Sequence, residues 1–236
     1  MSLKGLIVNP FSVFSPAVDL EVLRLEELHR QRVSESSTLQ EGVLIMVSKL
    51  AEIIRLIPEC LAGREPSQMD RCKAMIHELD GEEKMLTRFL ISSGLSGHMW
   101  KGVIRFPYRL KRIGDMLESV LRCARIKEEK KIPFSDAASQ ELEQMFSELH
   151  KMVVDLREAF RNPTRELLDS VESRGATLST MIDQFRTAHW ERLETGKCLP
   201  DASSMYRDIL DSVRLAGEYL EKMARSMIEM GEEKTG

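Results

Sequence analysis

The sequence has few of the residues that interrupt helices or build strands. Its 236 residues include only 13 glycines and 8 prolines, and the intervals between them are mostly long enough for a helix. Alternating runs of valine, isoleucine and threonine are absent, and so are Asn-Gly turns, so nothing in the sequence favours a β-sheet. The chain is therefore predicted to be all-α.

Cysteines and long apolar runs are also scarce. The four cysteines are far apart and form no CxxC pair, which indicates free thiols in a reducing compartment rather than disulfides or a zinc site. The longest apolar run is VLIMV at 43–47, whereas a membrane-spanning helix needs about 20 apolar residues. No cleavable signal sequence is visible at the N-terminus. We expect a cytoplasmic protein.

Motifs of the common enzyme classes are missing as well. The sequence contains no Gly-rich phosphate loop, no GxSxG and no HExxH. Only Glu26 and His29 have the Glu-x-x-His spacing, which di-iron helical bundles use twice. A net charge of −4, with bases interleaved with acids, offers no basic stripe to nucleic acid or to an anionic membrane. The sequence therefore favours a non-enzymatic protein without a cofactor.

Two long heptad seams, with alternating spacings of three and four, occur in the sequence. The first runs through Val103, Phe106, Leu110, Ile113, Leu117, Val120 and Ala124. The second runs through Tyr206, Ile209, Val213, Ala216, Leu220, Met223 and Met227. Each residue of the second seam lies 103 positions after its counterpart, which indicates an internal duplication.

The helices that precede these seams also resemble one another. At an offset of 92, apolar residues from Met75 to Leu90 align with those from Leu167 to Ile182, and Asp80 aligns with Glu172. The repeated unit has three helices, and the predicted helices span 34–62, 67–94, 98–127, 136–161, 164–196 and 202–230. We predict two tandem three-helix bundles of elongated shape, at 34–127 and 135–231, after an N-terminal extension with a short helix at 1–33.

Charged residues form a similar stripe on the last helix of each unit. In KRIGDMLESVLR the stripe consists of Lys111, Asp115, Glu118 and Arg122. In RLAGEYLEKMAR it consists of Arg214, Glu218, Glu221 and Arg225. These residues fall at heptad positions b and f, which face away from the seam. The simplest interpretation is a solvated surface with weak ion pairs along each helix.

The same segments resemble a known family. KRIGDMLESV and RLAGEYLEKM resemble the ERIGDHxxNIAE-type helix of PhoU-like proteins, which are regulators of phosphate transport and signalling. Residues 189–210, HWERLETGKCLPDASSMYRDIL, are similar to the PhoU-like domains that are attached to sodium/phosphate symporters. The resemblance extends over about 34–230 and implies two tandem three-helix bundles, in agreement with the repeat.

In that family, E/D-x-x-x-D pairs on two helices of each bundle bind iron or zinc clusters. The resemblance finds acids at four motif positions, Asp80, Asp115, Glu172 and Glu218. At the other four positions stand Lys84, Lys111, Ala176 and Arg214. A fixed cation raises the cost of adding a metal ion, so we expect no cluster unless Glu78, Glu82 or Glu83 completes the ligand set. A lysine or arginine side chain would then supply the positive charge that the metal supplies in the family.

The resemblance implies an adaptor that regulates phosphate transport or phosphate-responsive signalling through protein contacts. Its partners would be a phosphate transporter or its ATPase subunit, a sodium/phosphate symporter, or a sensor kinase. Membrane association would come only through such a partner, and a homodimer is left open. The alternatives are a helical protein that binds iron or zinc, a di-metal enzyme, and a purely structural interaction protein.

Overall fold

A computed structural model describes residues 24–63, 66–92 and 102–232, with side chains of the first helix from Leu39 onward. The helices are α1 (Arg24–Ala62), α2 (Pro66–Ser92), α3 (Phe106–Glu129), α4 (Asp136–Arg161), α5 (Arg165–Glu194) and α6 (Pro200–Glu232). Within these ranges there is no strand, and the all-α prediction is confirmed. No helix in this part of the chain combines the length and apolarity that a membrane span requires.

The helices form two bundles of three that lie side by side. Helices α1, α2 and α3 pack against one another, and so do α4, α5 and α6. The bundles meet where α1 packs on α4 and α3 packs on α6, and the buried side chains of both form one continuous core. The 33 residues of α6 make a helix about 50 Å long, which fits the predicted elongated shape. The predicted pair of three-helix bundles is confirmed.

The two heptad seams account for the burial of α3 and α6. Every residue of both seams is at most 2% exposed. Ile113 and Ala216, which the repeat predicts to be equivalent, are both completely buried. The spacing of apolar residues therefore identified the packed faces of these two helices correctly.

The starts of α4 and α5 depend on side-chain caps. Ser135 accepts a hydrogen bond at its Oγ from the backbone N–H of Ala138, at 3.2 Å. For α5, Thr164 accepts a hydrogen bond at its Oγ1 from the backbone N–H of Leu167, at 3.3 Å. Asn162 ends α4 in an extended conformation, and the link between α4 and α5 is one residue longer than predicted, because α5 begins at Arg165.

The first helix begins earlier than the predicted first bundle. A short helix within residues 1–33 and a separate bundle helix from residue 34 were predicted. The structure has one continuous α1 from Arg24 to Ala62, while residues 1–23 lie outside the described part of the chain. The serines and threonine at 34–38 lower helix propensity by only a few tenths of a kcal/mol each, and no proline or glycine interrupts them. The division of the chain at residue 33 stays a prediction.

Candidate functional site

The candidate site of the first bundle lies in the groove between α2 and α3. Lys111 on α3 places its Nζ 2.9 Å from Oδ1 of Asp115, one turn further along the same helix. The same ammonium lies 3.6 Å from Oδ1 of Asp80 on α2. Lys84 extends the cluster, with its Nζ 3.0 Å from Asp80 Oδ2. The groove thus brings both motif acids of this bundle to one lysine.

Cations outnumber carboxylates in this groove. The hydrogen bond from Lys84 lowers the pKa of Asp80, and the charge of Lys111 lowers it further. The pKa of Lys111 is raised, chiefly by its hydrogen bond to Asp115. Arg112 adds a third cation, with Nη1 2.9 Å from Asp115 Oδ2. These five side chains sum to one positive charge, which opposes the binding of a further cation.

Other acids of α2 are engaged elsewhere. Glu78 and Glu82 place carboxylate oxygens 2.6 and 2.5 Å from Nζ of Lys49 on α1. Glu83 accepts a hydrogen bond from Thr87 Oγ1, one turn along α2. The alternative acids considered from the sequence therefore have partners of their own. Across the part of the chain that the structure describes, no three His, Cys, Asp or Glu side chains are placed to hold one metal ion.

In the second bundle, Arg214 on α6 faces α5. Its Nη1 donates to Ser179 Oγ at 2.9 Å, and its Nη2 forms an ion pair with Asp183. Glu218, the motif acid on α6, instead lies 3.6 Å from Nζ of Lys222 on its own helix. The guanidinium of Arg214 is thus held against the carboxylate of Asp183, which the sequence did not single out.

The two bundles are related by a different register from the one predicted. Gly114 on α3 approaches Leu79 on α2, and its counterpart Gly217 on α6 approaches Leu178 on α5. Leu178 lies 99 positions after Leu79, not 92. The same offset makes Ser179 the counterpart of Asp80, which fits the contact between Arg214 and Ser179. The predicted equivalence of Asp80 and Glu172 is therefore wrong by one heptad.

Glu172 belongs to a separate ion-pair cluster. Arg225 on α6 donates from Nε to Glu172 Oε1 at 2.8 Å and from Nη2 to Glu221 Oε2 at 3.2 Å. Gly175 on α5 makes room for Glu221, because a Cβ there would lie 1.9 Å from Glu221 Oε1. Burial raises the pKa of Glu221; Arg225 opposes this shift and Glu172 adds to it. The side chain of Glu221 is thus packed against α5 at Gly175.

The charged stripe is only partly solvated. Glu118 and Arg122 are exposed, as heptad positions b and f predict. Lys111 and Arg214 are half-buried, and the side chain of Glu221 is only 20% exposed. The prediction that the whole stripe faces solvent is therefore wrong. The half-buried residues of the stripe border two grooves, one between α3 and α2 and the other between α6 and α5. Long charged side chains commonly lie along such grooves.

A second polar cluster joins all three helices of the second bundle, and the sequence did not predict it. Glu141 on α4 accepts two hydrogen bonds from Arg192 on α5, at 2.7 and 2.6 Å. Tyr206 on α6 donates its hydroxyl to Glu141 Oε2 at 2.5 Å. Burial, together with this hydrogen bond, raises the pKa of Tyr206. These residues are remote in sequence and share no motif spacing that would have revealed the contact.

Comparisons with known proteins agree with this architecture. No protein-family model and no curated protein matches the sequence. Among solved structures, PhoU from Pseudomonas aeruginosa matches with a TM-score of 0.73 at 18% identity, covering 85% of this chain and 98% of that one. The phosphate transport system regulatory protein PhoU from Streptococcus pneumoniae matches with a TM-score of 0.68 at 14% identity, covering 82% and 93%. The chain therefore has the fold of the PhoU proteins.

Proposed function

We propose that the protein is a non-enzymatic regulator of phosphate transport or phosphate-responsive signalling. The observation that carries this proposal is the match to PhoU structures over most of both chains, one of which is a regulatory protein of a phosphate transport system. The motif resemblance of KRIGDMLESV and RLAGEYLEKM also supports it, because it rests on residue identities and not on the shape of the fold.

We further propose that lysine and arginine side chains of this protein supply the positive charge that a metal cluster would otherwise supply. In the first bundle, Lys111 contacts Asp80 and Asp115 from two helices. In the second, Arg214 links α6 to Asp183 on α5. Iron or zinc would have to displace or overcome these charges, so the side chains present do not fit the clusters that the family resemblance implies.

The proposed mode of action is contact with another protein. The candidate partners are the cytoplasmic side of a phosphate transporter or its ATPase subunit, a sodium/phosphate symporter, and a sensor kinase. Two bundles lying side by side present two similar helical surfaces, so a partner could contact either bundle or both. Binding that depends on the state of the transporter would link transport to regulation.

Deletion of the gene tests the proposed function. Phosphate uptake and transcription of phosphate-starvation genes are measured in high and in low phosphate. We expect the deletion to alter both in high phosphate, and the full-length chain supplied in trans to restore them. Sulfate uptake serves as the control and should not change. Unchanged phosphate uptake and transcription in both media would overturn the proposal.

A binding experiment tests the proposed contact. The purified chain is titrated against the same organism's phosphate transporter, reconstituted in lipid nanodiscs, and against its phosphate sensor kinase. We expect saturable binding to one of these and none to empty nanodiscs. Binding to empty nanodiscs alone, or to neither protein, would contradict regulation by contact with these partners.

A further inference from the structure

One of the cysteines lies against a buried histidine. Cys60, Cys72 and Cys123 are buried, whereas Cys198, in the connection between α5 and α6, is half-buried. The Sγ of Cys198 lies 4.0 Å from Nδ1 of His189 on α5. His189 is only 2% exposed. A partly accessible thiol and an enclosed imidazole therefore face each other at this end of the second bundle.

A hydrogen bond to Ser203 orients the imidazole. The Nε2 of His189 lies 2.8 Å from Ser203 Oγ in the first turn of α6, and Ser203 is itself buried. In the tautomer whose Nε2–H donates to Ser203, Nδ1 keeps a lone pair directed at Cys198. The imidazole is then placed to accept the proton of the thiol.

The surroundings of His189 favour a neutral imidazole. Burial lowers the pKa of His189, and the cations Arg192 and Arg207 lower it further, whereas Glu141 opposes them. The ring is therefore a free base at neutral pH. The guanidinium of Arg192 also interacts with the side chain of Cys198.

A small cavity adjoins this pair. Its volume is about 160 Å³, and its walls include Cys198 and His189 together with the apolar side chains of Phe134 and Leu199. It leaves room for a reagent next to the sulfur of Cys198.

We propose that Cys198 is a reactive thiol that exchanges with low-molecular-weight disulfides, with His189 as its proton acceptor. The imidazole Nδ1 takes the thiol proton, and the sulfur of Cys198 attacks one sulfur of the disulfide. The disulfide bond of the reagent breaks, a mixed disulfide forms at Cys198, and the leaving thiolate takes the proton from His189. Cys198 is oxidised, and the released half of the reagent is reduced to a thiol.

Modification of Cys198 would affect contacts between the helices of the second bundle. Arg192, which interacts with Cys198, donates two hydrogen bonds to Glu141 and thereby joins α5 to α4. Glu141 also accepts the hydroxyl of Tyr206 on α6. A group attached to Cys198 therefore lies beside the contact that holds the three helices together at this end.

The test measures thiol reactivity of the folded, full-length chain. 5,5′-Dithiobis(2-nitrobenzoate) is added at pH 7, and release of the coloured thiolate is followed in native buffer. We expect one fast-reacting thiol per chain, identified as Cys198 by peptide mass, at least about tenfold faster than the three buried thiols. Cys198→Ser should abolish the fast phase. Oxidised glutathione should modify the same residue.

Two variants and one control test the role of the imidazole. His189→Gln and Ser203→Ala should each lower the rate at Cys198 at least about fivefold, since one removes the base and the other its orientation. His150→Gln replaces a half-buried histidine of α4 and should leave the rate at Cys198 unchanged. Thermal melting establishes that each variant is folded.

Three results would overturn the proposal. They are fast labelling at another cysteine, a rate at Cys198 below that of N-acetylcysteine, and a rate that Ser203→Ala leaves unchanged. Where His189→Gln does not fold, Ser203→Ala and the comparison with N-acetylcysteine decide between the outcomes.

Discussion

The ammonium of Lys111 on α3 lies 3.6 Å from a carboxylate oxygen of Asp80 on α2. This contact joins two helices at the place where the PhoU resemblance implies a pair of metal-binding acids. Lys111 also contacts Asp115 on its own helix, so one monovalent cation bridges the acids of both helices. Partly exposed ion pairs of this kind contribute about 0–1 kcal/mol each to stability, so the bridge itself adds little to the free energy of unfolding.

Adjacent residues of α3 should differ sharply in their effect on stability. Leu117 is completely buried, whereas Glu118 is exposed. Leu117→Ala should lower the free energy of unfolding by about 2–5 kcal/mol, and Glu118→Ala by less than about 1 kcal/mol. Urea denaturation of both variants measures the difference. The reverse order would mean that the buried face of α3 has been assigned wrongly.

The cluster around Glu141 should contribute more than a surface ion pair. Glu141→Ala leaves the charge of Arg192, whose side chain is 16% exposed, without its bidentate partner. We expect a loss of at least about 2 kcal/mol in the free energy of unfolding. Glu158→Ala, which removes the partner of the exposed Arg161, is the matched control and should cost less than about 1 kcal/mol. Equal losses would show that the Glu141 cluster has no special role in joining the helices.

Glu221 should make stability depend on pH. Because its pKa is raised above the ordinary 4.5, the folded state holds this proton more tightly than the unfolded state. The free energy of unfolding therefore falls as pH rises from the ordinary pKa through the raised one, and stays lower above it. Glu221→Gln should stabilise the protein at pH 7, and the gain should vanish toward about pH 4, where the wild-type carboxyl is protonated.

The exposed counterpart of this residue provides the control. Glu118→Gln should change the free energy of unfolding by no more than about 0.5 kcal/mol at either pH, as is usual for surface substitutions. Arg225 retains Glu172 as a partner in the Glu221 variant, so its charge is not left alone. A gain for Glu221→Gln that is larger at low pH than at pH 7 would contradict the account of this side chain.

The apolar pattern of the sequence was sufficient to predict the packed faces of α3 and α6. Ile113 and Ala216 are buried because heptad spacing places them on one side of each helix. The same pattern cannot fix how α2 and α5 correspond, because a shift of seven residues restores the same apolar face. The predicted alignment of Asp80 with Glu172 failed for this reason, and only contacts between helices revealed Ser179 instead.

Contacts between residues that are distant in the sequence could not be predicted either. Glu141 and Arg192 carry no motif, and their pairing depends on how α4 and α5 are placed in the bundle. The position of Cys198 beside His189 likewise arises from the turn between α5 and α6. Composition indicated free cysteines but gave no sign that one of them faces an imidazole.

The corrected register can be tested in the second bundle. Arg214→Glu with Ser179→Asp should place new acids near Asp183, because Arg214 contacts both Ser179 and Asp183. Arg214→Glu with Ala176→Asp follows the register that the sequence suggested and is the matched control. We expect only the first pair of substitutions to allow uptake of iron or zinc, as measured by elemental analysis. Uptake by the Ala176→Asp pair alone would support the original register.

The iron and zinc content of the protein most directly tests the proposal that Lys111 takes the place of a metal in the first bundle. The wild-type protein, purified without chelator, is compared with the double variant Lys84→Asp with Lys111→Glu. The two substitutions remove two cations and add two carboxylates beside Asp80 and Asp115, so repulsion of a metal ion becomes attraction. We expect no stoichiometric iron or zinc in the wild type, uptake by the variant, and a higher melting temperature of the variant with metal than without. A stoichiometric iron or zinc cluster in the wild-type protein, lost on Asp80→Ala or Asp115→Ala, would contradict the proposal that Lys111 replaces the metal.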